Sequence, residues 1–192
     1  MYMGAYSRVS IKIDHIDTII KKIEKSFKIG RKEFYGVAQD YYFYDIEKNS
    51  GRNAFIISQD SNLHWVDVVF PFPHLYYFDE FLRRLSKELD TEILLGYDHD
   101  ASGEARVAKF SQGALILSIY QQPIMSLDRI ILVDDYGVEQ FKEFFKNLPK
   151  LYENFKELLD LEDIQEFFIY SGRTYEYLGD EYEKYLHLEW LI

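Results

Sequence analysis

The groups best suited to proton transfer or metal binding are five histidines, His15, His64, His74, His99 and His187. Helical metal sites use pairs three or four residues apart, whereas the successive separations here are 49, 10, 25 and 88 residues, so no local His-x-x-x-His element exists. One tetrapeptide concentrates titratable groups. Tyr97-Asp98-His99-Asp100 sets an imidazole between two carboxylates and reads either as a candidate ligand pocket or as a solvated turn at a strand end. Adjacent acids, Asp134-Asp135 and Glu162-Asp163, could divide acid and base roles if their environments differed, but 33 acids in 192 residues place some side by side by chance.

Other chemistries lack their residues. No Gly-x-Ser-x-Gly elbow presents a nucleophilic serine, and neither Gly-x-x-x-x-Gly-Lys nor Gly-x-Gly-x-x-Gly is present to cradle phosphate. Absence of cysteine removes disulfides, thiolate zinc sites, iron–sulfur clusters and thiol nucleophiles together, and agrees with a reducing compartment. No catalytic residue, metal or cofactor is therefore expected. Tyr41-Tyr-Phe-Tyr44 could stack a base or a sugar, and equally fits a strand with aromatic side chains on both faces.

Charge is more informative. Residues 134–192 hold 15 Asp and Glu against 6 Lys and Arg, a net of −9, whereas residues 1–133 hold 18 against 16. An acidic surface of that size repels phosphate backbones and steers basic partners. The opposite sign gathers at Lys21, Lys22, Lys25, Lys28, Arg31 and Lys32, opposed there only by Glu24. This stretch reads as the solvated face of an amphipathic helix or as an anion patch.

The elements that must position these groups follow from periodicity. Val9, Ile11 and Ile13 alternate with Arg8, Ser10 and Lys12, predicting a half-buried strand. Asp14 then caps a helix whose stripe is Ile16, Ile19, Ile20, Ile23 and Phe27. A second helix, about Tyr77 to Leu89, repeats those steps with Phe78, Phe81, Leu82, Leu85 and Leu89, and follows a strand at Trp65 to Phe70. The repetition fits either a weak strand–helix duplication or two unrelated amphipathic helices. Glu92 to Tyr97, Glu104 to Phe110 and Leu115 to Tyr120, separated by turn-rich stretches, predict an antiparallel meander. Ile130 to Val133 reads as an edge strand or a linker. Helices are expected from near Asp134 or Asp135 to Pro149 and from Lys150 to Leu161, then a helix or final strand at the end.

The fold class expected is α+β: a mainly antiparallel sheet with amphipathic helices on one face and a helical, acidic C-terminal region. Residues 1–125 form the expected core and 126–192 the acidic region packed on it. Met1 to Ser10 has neither a basic n-region nor an apolar h-region, and no apolar run reaches the roughly 18 residues of a membrane span, so a cytoplasmic protein is expected.

The stretch Phe81-Leu-Arg-Arg-Leu-Ser-Lys-Glu-Leu-Asp-Thr-Glu-Ile-Leu-Leu95, with the Asp100-Ala-Ser-Gly-Glu104 turn and Phe110-Ser-Gln-Gly-Ala-Leu115, resembles small immunity proteins of bacterial polymorphic toxin systems. The resemblance implies a cytosolic, non-enzymatic protein that binds and blocks a cognate toxin. Such families are often acidic. The first functional expectation is thus a binding protein that sequesters a basic toxin or other basic protein through Asp134, Asp135, Glu139, Glu143, Glu153 and Glu157. Neither nucleic acid nor membrane is expected as a partner, and a homodimer remains open. The alternative is a small-ligand-binding protein or enzyme with a Tyr-rich pocket at Tyr97, Asp98, His99 and Asp100, using His99 or His64 as acid–base group.

Overall fold

A computed structural model describes residues 5–35, 54–60, 64–70, 78–99, 103–124, 129–136, 161–173 and 182–190. They form β1 (Ala5–Ile11), α1 (Ile16–Ser26), β2 (Ile29–Tyr35), β3 (Ala54–Asp60), β4 (Val66–Val69), α2 (Asp79–Glu88), β5 (Glu92–His99), β6 (Glu104–Ser111), β7 (Ala114–Ile124), β8 (Arg129–Tyr136), α3 (Leu161–Tyr170) and β9 (Tyr182–Trp190). The class is α+β, with antiparallel pairing throughout each of two compact units. One unit comprises Arg8–His74 and Glu176–Ile192; the other comprises Met1–Ser7 and Leu75–Tyr175.

In the first unit the strand order is β2-β9-β3-β4-β1. The C-terminal strand is therefore an interior one. It pairs Phe34 with Leu186 on one side and Phe55 with Leu188 on the other, and Leu188 is fully buried. Helix α1 buries Ile16, Ile19, Ile20 and Ile23, the predicted stripe, while Phe27 at its exit packs 4.9 Å from Phe55. Its N-terminus differs from expectation. His15, not Asp14, occupies the cap position and makes no side-chain cap bond. Gln59 of β3 takes over: its Oε1 accepts from Ile16 N at 3.3 Å and its Nε2 donates to the Asp14 carbonyl at 2.7 Å. A buried amide from a neighbouring strand thus satisfies a helix end that the local sequence leaves open.

Strand β1 is not half-buried. Val9 and Ile11 are fully buried, but Arg8 and Ser10 on the other face are also 3% and 0% exposed. Both turn to Asp67 of β4, whose carboxylate accepts from Arg8 at 2.6 Å and from the Ser10 hydroxyl. Alternation marked these residues as outward because polar side chains usually are; a buried carboxylate across the ladder reverses that.

In the second unit the three predicted strands of the meander, β5, β6 and β7, pair in order and β8 adds a fourth, β5-β6-β7-β8. Its β6–β7 turn, Gln112-Gly113, has φ of 49° and 84° at the two positions, the positive values that a two-residue hairpin of this twist requires. Ser86, fully buried on α2, accepts from Gly113 N at 3.0 Å and donates to the Arg83 carbonyl at 2.9 Å, joining turn and helix. Helix α2 buries Phe81, Leu82 and Leu85 and ends with Thr91 N donating to the Ser86 carbonyl at 3.0 Å across Asp90, whose φ is 48°.

The helices of this unit lie on both faces of the meander, not one. Gly96 and Tyr97 are successive residues of β5 and face opposite ways. A Cβ at Gly96 would lie 2.5 Å from Ile164 and 2.6 Å from Phe168 of α3. Tyr97 pairs with Arg106, whose side chain reaches Asp79 of α2. The missing side chain at position 96 is what lets α3 come so close.

In the C-terminal third, expected to be mostly helical with a helix or a final strand at its end, the described residues form two strands and one helix. Asp134 and Asp135 lie in β8, opposite Tyr120 and Ile119 of β7, and start no helix. Hydrogen bonding along the open edge of the meander extends Ile130 to Val133 into an edge strand that carries through both acids. Residues 137–149 and 150–160, which hold most of the two expected helices, lie outside the described residues; α3 begins at Leu161, and the closing segment is β9.

Candidate functional site

One row of polar groups in the meander lies on the face covered by α2. Cross-strand pairing sets His99 opposite Glu104, Tyr97 opposite Arg106, and Arg106 opposite Tyr120, so these five side chains form a row on one face. Arg106 is its centre and is fully buried. Its two terminal nitrogens donate to Asp79 Oδ1 at 2.9 Å and Oδ2 at 2.8 Å, while Nε donates to the Ser118 hydroxyl at 3.1 Å. Asp79 is the first residue of α2, where a carboxylate is also favoured by the helix dipole. The fork geometry directs Arg106 at its own helix and fixes α2 on the sheet.

Tyr97 is 5% exposed, and burial pushes its phenol well above the ordinary tyrosine value, with Glu104, Tyr120 and Asp98 adding in the same direction. It stays protonated at neutral pH and does not serve as a base there. The tetrapeptide that suggested a pocket is divided by the pleat. Tyr97 and His99 face the α2 side, whereas Asp98, opposite Ala105, faces the other. His99 thus does not share a face with Asp98, and Asp100 lies outside the described residues. Among the described residues no group of three His, Asp or Glu is arranged to hold a metal ion. His64, the other acid–base candidate, sits with its Nδ1 3.5 Å from Asp14 Oδ1, where both side chains are about 70% exposed to solvent.

Of the acids expected to bind a partner, Asp134 and Asp135 fall in β8, and Glu139, Glu143, Glu153 and Glu157 lie outside the described residues, as does the aromatic run Tyr41 to Tyr44. The acidic segment does include α3, whose Glu166 is exposed. The basic stretch is exposed at Lys21, Lys25, Lys28, Arg31 and Lys32, with Lys22 half-buried, and Lys32 Nζ lies 2.8 Å from Glu24.

Sequence reading missed Asp79, Arg106 and Ser118. The available signal was a cation inside the otherwise small and apolar run Ala105-Arg106-Val107-Ala108, since an arginine there needs a buried acid within reach. Comparison with protein-family models, with curated proteins and with solved structures found no match.

Proposed function

We propose that this chain is a binding protein that captures a basic protein through the acidic surface of its C-terminal third, in the manner of an immunity protein holding a toxin. The observation that carries the reading is the charge division: 15 acids against 6 bases over 134–192, beside near balance over 1–133. A field of one sign confined to one part of a chain raises the encounter rate with a partner of the other sign and rejects polyanions. The described polar residues accord with this use. Arg106, Asp79 and Ser118 are spent on one another, and so are Arg8, Asp67 and Ser10, which makes both sets internal fastenings.

The test is capture by the tagged full-length chain from a lysate of the source organism, elution on a salt gradient, and titration of the eluted protein after purification. The expected result is one basic protein, released between about 0.1 and 1 M salt as the Debye length contracts from about 10 to 3 Å, that rebinds the purified chain one to one. A captured protein that is acidic, or whose affinity is indifferent to salt, overturns the reading.

A further inference from the structure

Helices α1 and α2 turn different surfaces to water. On α2, Glu80, Arg84, Lys87 and Glu88 are exposed, two acids and two bases, and Arg84 Nε lies 4.0 Å from Glu88 Oε1 one turn on. Mixed signs of this kind are how a solvated helix face is usually built. Helix α1 does otherwise. Opposite its buried stripe of Ile16, Ile19, Ile20 and Ile23, Lys21 and Lys25 fall one turn apart, and Lys28 follows just past the cap at Phe27. All three are exposed and make no ion pair or hydrogen bond among the described residues. Asp17 stands in the first turn, and Glu24, the one acid between 21 and 32, is taken by Lys32 at 2.8 Å. Like charges one turn apart weaken a helix. The dipole accounts for Lys25 in the last turn but not for Lys21 in the middle, and packing requires neither.

The surroundings decide what fits. Residues 21–32 hold six cations and one acid, a net of +5 in a chain of −11, which leaves −16 for the rest. A long polyanion such as a nucleic acid has to meet that remainder as well, whereas a short acidic segment meets the patch alone within a Debye length of about 8 Å. Apolar surface also lies among the lysines. Phe27 and Ile29, on either side of Lys28, are only half-buried, and lysine stems add methylenes to it. A sugar–phosphate backbone gains little from such surface, while a protein contact uses it. We infer that the outer side of α1 and its exit into β2 are a docking surface for an acidic protein segment that carries apolar side chains among its carboxylates. Lys21, Lys25 and Lys28 supply the charge, and Phe27 and Ile29 the apolar contact. The partner so accepted is opposite in charge to the one assigned to residues 134–192 and uses none of those residues.

The experiment titrates the full-length chain with a labelled synthetic Glu/Leu peptide and with a single-stranded oligonucleotide of equal negative charge, at about 0.05 and 0.5 M salt. Two triple variants are titrated in parallel. One carries Lys21→Gln, Lys25→Gln and Lys28→Gln; the other removes three cations from α2 through Arg83→Gln, Arg84→Gln and Lys87→Gln. The unaltered chain is expected to bind the peptide more tightly than the oligonucleotide and to release it at the higher salt. The α1 variant should bind the peptide about tenfold more weakly, and the α2 variant within about twofold of the unaltered chain. Hydrogen exchange on the unaltered chain is an independent readout should the α1 variant fail to fold: amides of residues 16–32 are expected to slow when the peptide is bound. Equal losses in the two variants would overturn the inference, because net charge and not this face would then govern binding. Tighter binding of the oligonucleotide, or no binding of the peptide at low salt, would overturn it too. So would a salt-sensitive oligomer that the α1 variant disperses, since the face would then belong to a second copy of the chain. None of these outcomes bears on residues 134–192, whose role stands or falls with capture of a basic protein.

Discussion

Among the described residues, each of the two compact units buries an arginine–aspartate pair with a serine beside it, and the two pairs are used differently. In the first unit, Arg8 and Asp67 are each 3% exposed and lie on adjacent strands, β1 and β4. Asp67 sits opposite Ser10 on one side and Ser58 on the other, forming a polar row inside the sheet. A shift of either neighbour by one residue would set this carboxylate against Val9 or Ile57, so the row specifies register. In the second unit, Arg106 is fully buried but Asp79 is 15% exposed and stands at the start of a helix. That pair fastens a helix to a sheet through two parallel bonds. A like set of side chains therefore fixes strand pairing in one place and helix docking in the other, and the two differ in how completely water is excluded.

The largest effect should come from breaking the drier pair. Asp67→Ala leaves the Arg8 guanidinium buried without its carboxylate and should cost about 3–5 kcal/mol in denaturant unfolding. Replacing both members, Arg8→Met with Asp67→Leu, should recover most of that loss, because the penalty lies in the stranded charge. A double variant as unstable as the single one would show that the row acts through its hydroxyl contacts instead.

Asp79→Ala should cost less, about 2–3 kcal/mol, since Arg106 keeps its bond to Ser118 and solvent can enter where Asp79 stood. The loss should appear as faster amide exchange in α2 before the meander opens, a local event separable from global unfolding. Equal losses for Asp67→Ala and Asp79→Ala, with no early exchange in α2, would remove the distinction between the two fastenings.

These pairs also mark what the sequence could and could not convey. The stripes of α1 and α2 were legible because each apolar residue repeats on one face within a dozen positions, and the Gln112-Gly113 turn announced its hairpin. Arg8 and Ser10 were misassigned to solvent because their partner is 59 and 57 residues away, beyond the reach of any local pattern. Insertion of β9 between β2 and β3 was hidden for the same reason: nothing within 182–190 names the strands that receive it. Asp134 and Asp135 suggested a helix start through residue type alone, while the ladder with Tyr120 and Ile119 decided otherwise. Helix α3 was within reach, since Ile164, Phe167 and Phe168 have the steps of three and four that identified the other two. The acidic segment was legible as charge and not as shape, since counting acids finds it without placing any one of them in the fold.

The smallest effect separates the two rows by titration. Tyr97 lies beside Arg106 in the second row, whereas the neighbours of Asp67 in the first are serines, Ser10 and Ser58. Burial, reinforced by Glu104, Tyr120 and Asp98, raises Tyr97 in the folded chain above its ordinary value of about 10. Once pH passes that ordinary value, the unfolded chain releases the phenolic proton while the folded chain holds it. The unfolded state then binds fewer protons, and stability falls with rising pH. The contribution is whole below about pH 10 and is lost progressively above it. Tyr97→Phe removes this group alone, so urea unfolding of the variant between about pH 8 and 11 should decline less steeply than that of the unaltered chain. Parallel declines would mean that solvent reaches the phenol in the folded state, and the second row would then be wetter at Tyr97 than its burial implies.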